Sequence, residues 1–375
     1  MRGWVRRAGF VVVLAAALAP AALPASATAT AALPVAWRAT SPATLNEPVL
    51  TSNGVVTTAG ELATARVVAH GETIWQKSLA SQFPGYALEP PTVWNGTIDS
   101  VLTSGFATGV SNFAVGNGTF TISSQPAPHQ FFGQLVTDAT TSTRVTGGFG
   151  SFGAVAELAL GGEKWLVLFG QGSVGLPTLV GSEAFVPVSS TVEGIDPAQR
   201  CKPATPNEPL CAPTWQTTTP GTAQTPVASG AGRIATSDSS GVVTAFKAKT
   251  GAIAWQTASF HTPLGQPAYA NNVVYAGGAD GVLRAINAAT GKVLWTASAG
   301  APIRTAPTVS GARVFVATDN GRLVTFNAAG CGKATCAPTA VGNAALANTQ
   351  AAGAPLVRNH TAIVAYGTHL IAFTV

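Results

Sequence analysis

Between Thr225 and Asn327 the chain passes through the same order of apolar and polar positions three times: Gly241-VVTAFKAKTGAIAW, Gly281-VLRAINAATGKVLW and Gly321-RLVTFNAAG. The apolar positions come in short runs separated by Gly, Asn, Asp and Thr, which is the pattern of brief strands and tight turns. In the second copy Ala268-Tyr269 opens a first strand, and Val273 to Ala276 follows the Asn271-Asn272 turn. Asp280-Gly281 predicts a tight hairpin, because glycine accepts the positive φ such turns need. Val282 to Asn287 is a third strand, Thr290-Gly291 turns the chain again, and Val293 to Ala297 is a fourth.

Trp215, Trp255 and Trp295 are forty residues apart, and each is followed after eleven or twelve residues by a Pro (Pro226, Pro267, Pro307). A period of about forty residues made of four short strands predicts a repeat array whose unit is a propeller blade. The same spacing relates Trp37 to Pro48 and Trp165 to Pro177, and more loosely Trp75 to Pro91. Phe120 and Ala340 fill two further slots, whereas Trp94 is out of register. Eight anchors predict an all-β, eight-bladed β-propeller of four-stranded antiparallel blades, with seven blades as the alternative. Leu370 to Val375 falls in a third-strand position, and Val35-Ala36-Trp37 is an outer strand with no blade before it. Joining the two would close the ring and remove two exposed edges.

The run Ala285-Ile-Asn287-Ala-Ala-Thr290-Gly291-Lys-Val-Leu-Trp295 resembles the tryptophan-docking motif of the quinoprotein (PQQ-like) β-propeller repeat. That family includes quinone-dependent dehydrogenases and the non-catalytic outer-membrane protein assembly factor B. The resemblance implies that Trp37, Trp75, Trp165, Trp215, Trp255 and Trp295 wedge between neighbouring blades, with the turn glycine offering flat backbone to the ring.

Composition adds the compartment. Arg2, Arg6 and Arg7, the apolar run Phe10 to Leu23 and the small-residue site Ala25-Ser-Ala27 predict a signal peptide over 1–27, leaving 28–375 as one propeller domain. The expected product is secreted, extracellular or periplasmic, and monomeric, with no integral membrane segment. No Cys lies near the cleavage site, which departs from assembly factor B, usually a lipoprotein. Without the three leader arginines the count is 17 Lys and Arg against 15 acids, so the basic character of the whole chain is mostly the leader. No basic run or basic–aromatic interleaving points to nucleic acid.

Cys201 and Cys211, and Cys331 and Cys336, are two local pairs at the place where other repeats have their Thr-Gly turn. An exported chain with an even count predicts two disulfides, whereas a shared metal site would need thiolates three blades apart to converge. Gly148-Phe-Gly150-Ser-Phe-Gly153 spells a dinucleotide motif, but its surroundings are β throughout and predict a glycine turn. The five His show no metal spacing, there is no nucleophile elbow, and Asp238, Asp280 and Asp319 occupy one turn position in three repeats and serve first as turn formers. The links that lead into each blade pass over one mouth of the central channel. Gln224, His261, Gln266, Arg304 and Gln350 lie in them and are the candidate binding residues. These features point to a non-catalytic binding or scaffold module for a protein or cell-envelope polymer, with no metal and no cofactor. The alternative is a dehydrogenase holding PQQ and Ca²⁺. Against it, the chain has no adjacent cysteines and its acids are sparse.

Overall fold

The computed structural model describes residues 30–375 apart from 95–96, 104–107, 124–134, 139–142, 150–152, 160–161, 170–173, 197–200, 206–207, 224 and 347–348. The leader over 1–27 and Gln224 therefore lie outside the described residues, as do the side chains of Trp94, Trp165, Cys201 and Cys211. Among the described residues the protein is all-β, with no helix.

The described strands group into eight sheets, numbered here in chain order. Sheet six shows the plan: Ala268–Ala270, Val273–Gly277, Val282–Asn287 and Val293–Ser298, each antiparallel to the next. Its turns follow from their residues. Asn271 and Asn272 have φ of 50° and 61°, the left-handed pair that a two-residue hairpin requires. Sheet five (Ala228–Gly230, Arg233–Ser237, Val243–Lys247, Ile253–Gln256) and sheet one (Val49–Leu50, Val55–Ala59, Leu62–Arg66, Thr73–Ser78) repeat this order. Sheet four is Thr178–Val180, Glu183–Val188, Thr191–Ile195 and Trp215–Thr218. In sheet two the innermost strand is broken into Ala87–Leu88 and Thr92–Trp94, both paired with Thr97–Thr103. Sheet three includes Leu135–Asp138, Thr143–Phe149, Gly153–Ala159 and Gly162–Phe169. Gly148 and Gly153 of the dinucleotide-like run lie on two adjacent antiparallel strands, where Phe149 pairs with Gly153, and Gly150 lies outside the described residues. Among the described residues no helix follows there, so no βαβ unit is formed by them.

Sheet eight takes its outer strand from the other end of the chain. Leu356–Arg358, Thr361–Tyr366 and His369–Thr374 are completed by Val35–Thr40, which pairs antiparallel with His369–Thr374. Sheet seven comprises Thr308–Ser310, Arg313–Thr318, Arg322–Asn327 and Ala340–Asn343.

Inner strands are buried on both faces. All four central residues of Val282–Asn287 and of Arg322–Asn327 are buried, because sheets six and seven are each covered by a neighbour on either side. One apolar cluster joins Val243, Ala245 and Trp255 of sheet five to Val274, Ala276 and Ile286 of sheet six. Others join sheets four to five, six to seven, seven to eight and one to two. A further cluster of Trp37, Leu45, Val55, Val68, Ile363, Leu370 and Ala372 joins sheet eight to sheet one. Arg358 reinforces that junction by donating to the Thr51 carbonyl.

Three segments add an extra strand to an outer edge, by one rule. The stretch just before the outer strand of one sheet runs parallel to the outer strand of the sheet before it. Ala31–Leu33 lies on Ala340–Asn343, Glu208–Cys211 on Gly162–Phe169, and Thr335–Cys336 on Val293–Ser298. Covering an edge in this way hides unpaired backbone groups that would otherwise pair with another chain. Both cysteine loops serve this purpose. Cys331 and Cys336 form a disulfide that closes the loop carrying Thr335–Cys336, and in the other loop Cys201 stands opposite Cys211 in the backbone register. Reducing the Cys331–Cys336 bond is expected to cost about 2 kcal/mol, the chain-entropy value for so short a loop. Denaturant unfolding with and without dithiothreitol checks this.

Glu193 is a charge-bearing residue buried in sheet four, between Val186 and Gln216 in the register. Burial pushes its carboxyl from the ordinary 4.5 up to about 7. The folded protein then holds a proton that the unfolded chain has released. Stability is therefore expected to fall as pH rises from about 4.5 through about 7 and to level off above that. Glu193→Gln should lessen this slope in thermal melts across the same range, leaving the part from Glu47 and Glu89, whose carboxyls burial also raises.

Candidate functional site

Two sets of groups were candidates: the docking tryptophans and the channel-mouth links. The indole N–H of Trp37 donates to the Val68 carbonyl at 2.8 Å, and Trp75 to Val115 at 3.0 Å. Trp215 donates to Ala248 and Trp255 to Ala288, each at 2.8 Å. Every acceptor lies in the turn after the third strand of the next sheet. The same turn ends in a glycine with positive φ. A Cβ on Gly291 would stand 2.8 Å from the Trp255 ring, so no side chain fits there. Trp295 lies against Gly330 in the corresponding turn, but the Ala328 carbonyl accepts from the Tyr275 hydroxyl at 3.1 Å.

Two features of this arrangement were not read from the sequence. The residue opposite the Trp in the register is small: Ala65, Ala245, Ala285 and Ala372, with Gly194 opposite Trp215. A register shift follows in four of these pairs, re-aiming the outer strand at the Trp. The signal was present, since Ala65, Ala245 and Ala285 each precede their Trp by ten residues.

The links are stitched to the turns between second and third strands, which places both on one face. In the link into sheet six, Leu264 donates its N–H to Asp238, and Pro263 accepts from Ala279. In the next link, Ile303 donates to Gly278, and Pro302 accepts from Asp319. The three aspartates of that turn position have different partners. Asp238 is buried and accepts from its own turn, from the Ser240 and Val242 N–H groups, and from Gly221. Asp280 pairs with Arg284, whose guanidinium is buried beneath the Phe260 ring at 4.5 Å. Burial opposes ionisation of Asp280, but the bonds from Arg284 and from the Val282 N–H hold its carboxyl below the usual range. Asp319 accepts from Nε of Arg304 at 2.6 Å.

Of the candidate mouth residues, the structure gathers Arg304 and Gln350 into one cavity of about 460 Å³, with Ala301, Pro302, Asp319 and Asn320. Gln266 reaches this group through its backbone, donating its N–H to the Arg304 carbonyl at 3.3 Å. His261 stands apart and exposed, with φ of 56° and its N–H bonded to the Ser259 hydroxyl. Glu47 and Glu89 also lie in links and were missed. Glu47 comes just before the blade-opening Pro48, the position that singled out Gln266, and Glu89 stands two residues before Pro91, so that signal was available. Burial raises both carboxyls, tempered by hydrogen bonds from the Ala354 N–H to Glu47 and from the Thr103 hydroxyl to Glu89.

The sequence family whose profile matches residues 239–374 is described as outer membrane protein assembly factor BamB. The crystal structure of BamB from Moraxella catarrhalis aligns at a TM-score of 0.55 and 17% identity, covering 73% of this chain and 81% of that one. The match supports a PQQ-like β-propeller repeat over residues 239–374, and the structural likeness supports a propeller fold. The propeller is also similar to the C-terminal WD40 domain of Sif2 (TM-score 0.68, 10% identity, 92% and 99% of the two chains). The computationally designed Ika8 protein aligns at 0.67 with 11% identity over 90% and 98%. At these identities the structures speak for the fold. No curated protein matches the chain.

A quinone and Ca²⁺ would need a stacking indole and uncommitted carboxylates. Among the described residues no three His, Cys, Asp or Glu side chains are grouped so as to hold a metal ion, and Asp238, Asp280 and Asp319 are held by turn or arginine donors.

Proposed function

We propose that this protein is an exported, non-catalytic binding scaffold, monomeric, whose eight sheets are the blades of one ring closed by Val35–Thr40. Its partner is a protein or cell-envelope polymer met on the face that carries the inter-blade links. The observation that carries this reading is the cavity at Arg304, Asp319, Asn320 and Gln350, assembled from three chain segments brought together only by the fold. The described sheets run from one end of 30–375 to the other, so the links and turns are where recognition can be built. The matched family is named for outer-membrane protein assembly, which agrees with a binding role. The six tryptophans are proposed as blade docks and the two cysteine pairs as disulfides that hold edge-covering loops.

A photo-crosslinking amino acid at Gln350, compared with one at Lys292 on the opposite face, tests the reading in the expressing cell. The proposal expects a discrete adduct from position 350 alone. Equal labelling from both positions, or none from 350, refutes it.

A further inference from the structure

The cavity at the link face has a composition that selects its ligand. Asp319 occupies Nε of Arg304, and the pair is mutually neutralising while Arg304 remains half-exposed. An anion would have to compete with Asp319 for the guanidinium, and a cation with Arg304 for the carboxylate, so the site favours a neutral ligand. Its apolar lining is confined to Ala301 and Pro302. A protein partner is usually anchored by a large aromatic or aliphatic side chain in a fitted pocket, and this lining offers no wall for one.

The polar groups are also held still. Gln350 is exposed, but it sits between Thr349, bridged to Asn320, and Ala351, bridged to Tyr366. Tyr366 is fixed in turn by its hydroxyl, which donates to the Arg322 carbonyl at 2.7 Å. Asn320 accepts from the Thr318 hydroxyl at 2.7 Å, which leaves its amide NH₂ to donate. Arg304 keeps its terminal nitrogens as donors, and Gln350 offers both a donor and an acceptor. These are planar groups with paired donors and acceptors, pre-set on a rigid base. They match the paired hydroxyls of a sugar ring, each of which both donates and accepts. A cavity of this size lies within the range of small-molecule sites.

We infer that the Arg304–Asp319–Asn320–Gln350 cavity binds a neutral polyhydroxylated ligand, a segment of an uncharged glycan. This rests on the link face being the binding face and names the class of polymer it takes.

The test uses the whole exported chain. Cellotriose, maltotriose, xylotriose and chitotriose are titrated to about 20 mM, a range that reads millimolar affinities, against ¹⁵N-labelled protein, with tripolyphosphate and a lysine tripeptide as charged controls. The expected result is saturable shifts of the Asn320 and Gln350 side-chain amides with at least one trisaccharide. Arg304→Ala and Asp319→Asn should each weaken binding about tenfold or more, and Lys292→Ala should leave it unchanged. Preferential binding of either charged control overturns the inference. So does binding indifferent to the Arg304 and Asp319 changes in folded variants. Absence of any trisaccharide shift, with crosslinking at position 350 intact, overturns the ligand class while leaving the binding face standing.

Discussion

Replacing Trp255 by alanine is expected to destabilise the protein by about 3–5 kcal/mol, the cost of removing a buried indole from a site that cannot collapse. The ring is 8% exposed and packs between sheets five and six with Val243, Val274, Ala276 and Ile286. The site cannot close because its walls are backbone. Ala245 stands opposite in the register, and the turn ending at Gly291 forms the far side. The loss has two parts that a second variant separates. Trp255→Phe keeps much of the packing and gives up the bond to the Ala288 carbonyl, which should cost about 1 kcal/mol for the bond alone. Trp295→Ala should fall in the same 3–5 kcal/mol range. There the neighbouring Ala328 carbonyl keeps its partner in Tyr275, so the effect should be carried by packing. Equilibrium unfolding of the three variants checks the set. A loss under about 1 kcal/mol for either alanine variant would remove the docking assignment.

Deleting residues 30–40 should have the larger consequence. The segment supplies Ala31–Leu33 to sheet seven and Val35–Thr40 to sheet eight, so its loss bares two outer edges at once. It also removes Trp37, which pairs with Ala372 in sheet eight and donates to Val68 in sheet one. Arg38 goes too, and with it the 2.7 Å bond to the Ala344 carbonyl. The buried side chains of Trp37 and Leu33 alone imply a loss of at least about 5 kcal/mol. The bared strands should add concentration-dependent association. Circular dichroism melts and size-exclusion chromatography of the truncated chain provide the measurement. Trp37→Ala distinguishes the causes, since it should reproduce much of the instability with both edges still covered. A truncated chain that melts with the full one and stays monomeric would refute closure by this segment.

Much of this protein is written locally. The four strands of sheet six and their turns could be read from Asn271-Asn272, Gly281 and Thr290-Gly291, because a turn's φ angles depend on the residues that occupy it. The repeat of that pattern, with its tryptophan every forty residues, also determined which strands share a sheet and that the last strand needs a partner from the start of the chain. Other features depend on residues far apart in sequence. That Ala31–Leu33, Glu208–Cys211 and Thr335–Cys336 each lie parallel on the preceding sheet follows from where that sheet's outer edge stands, which no local pattern records. The same holds at the candidate site. Arg304, Asp319 and Gln350 each looked like a polar residue in a turn or link, and Asp319 was indistinguishable from Asp238 and Asp280. Asp238 caps its own turn and Asp280 pairs with Arg284 four residues on, whereas only the stacking of one sheet on the next gave Asp319 its partner Arg304 at a cavity shared with Gln350. Turn chemistry acts over four residues and is legible in them, whereas a side chain's partner across a sheet boundary depends on geometry that the whole array creates.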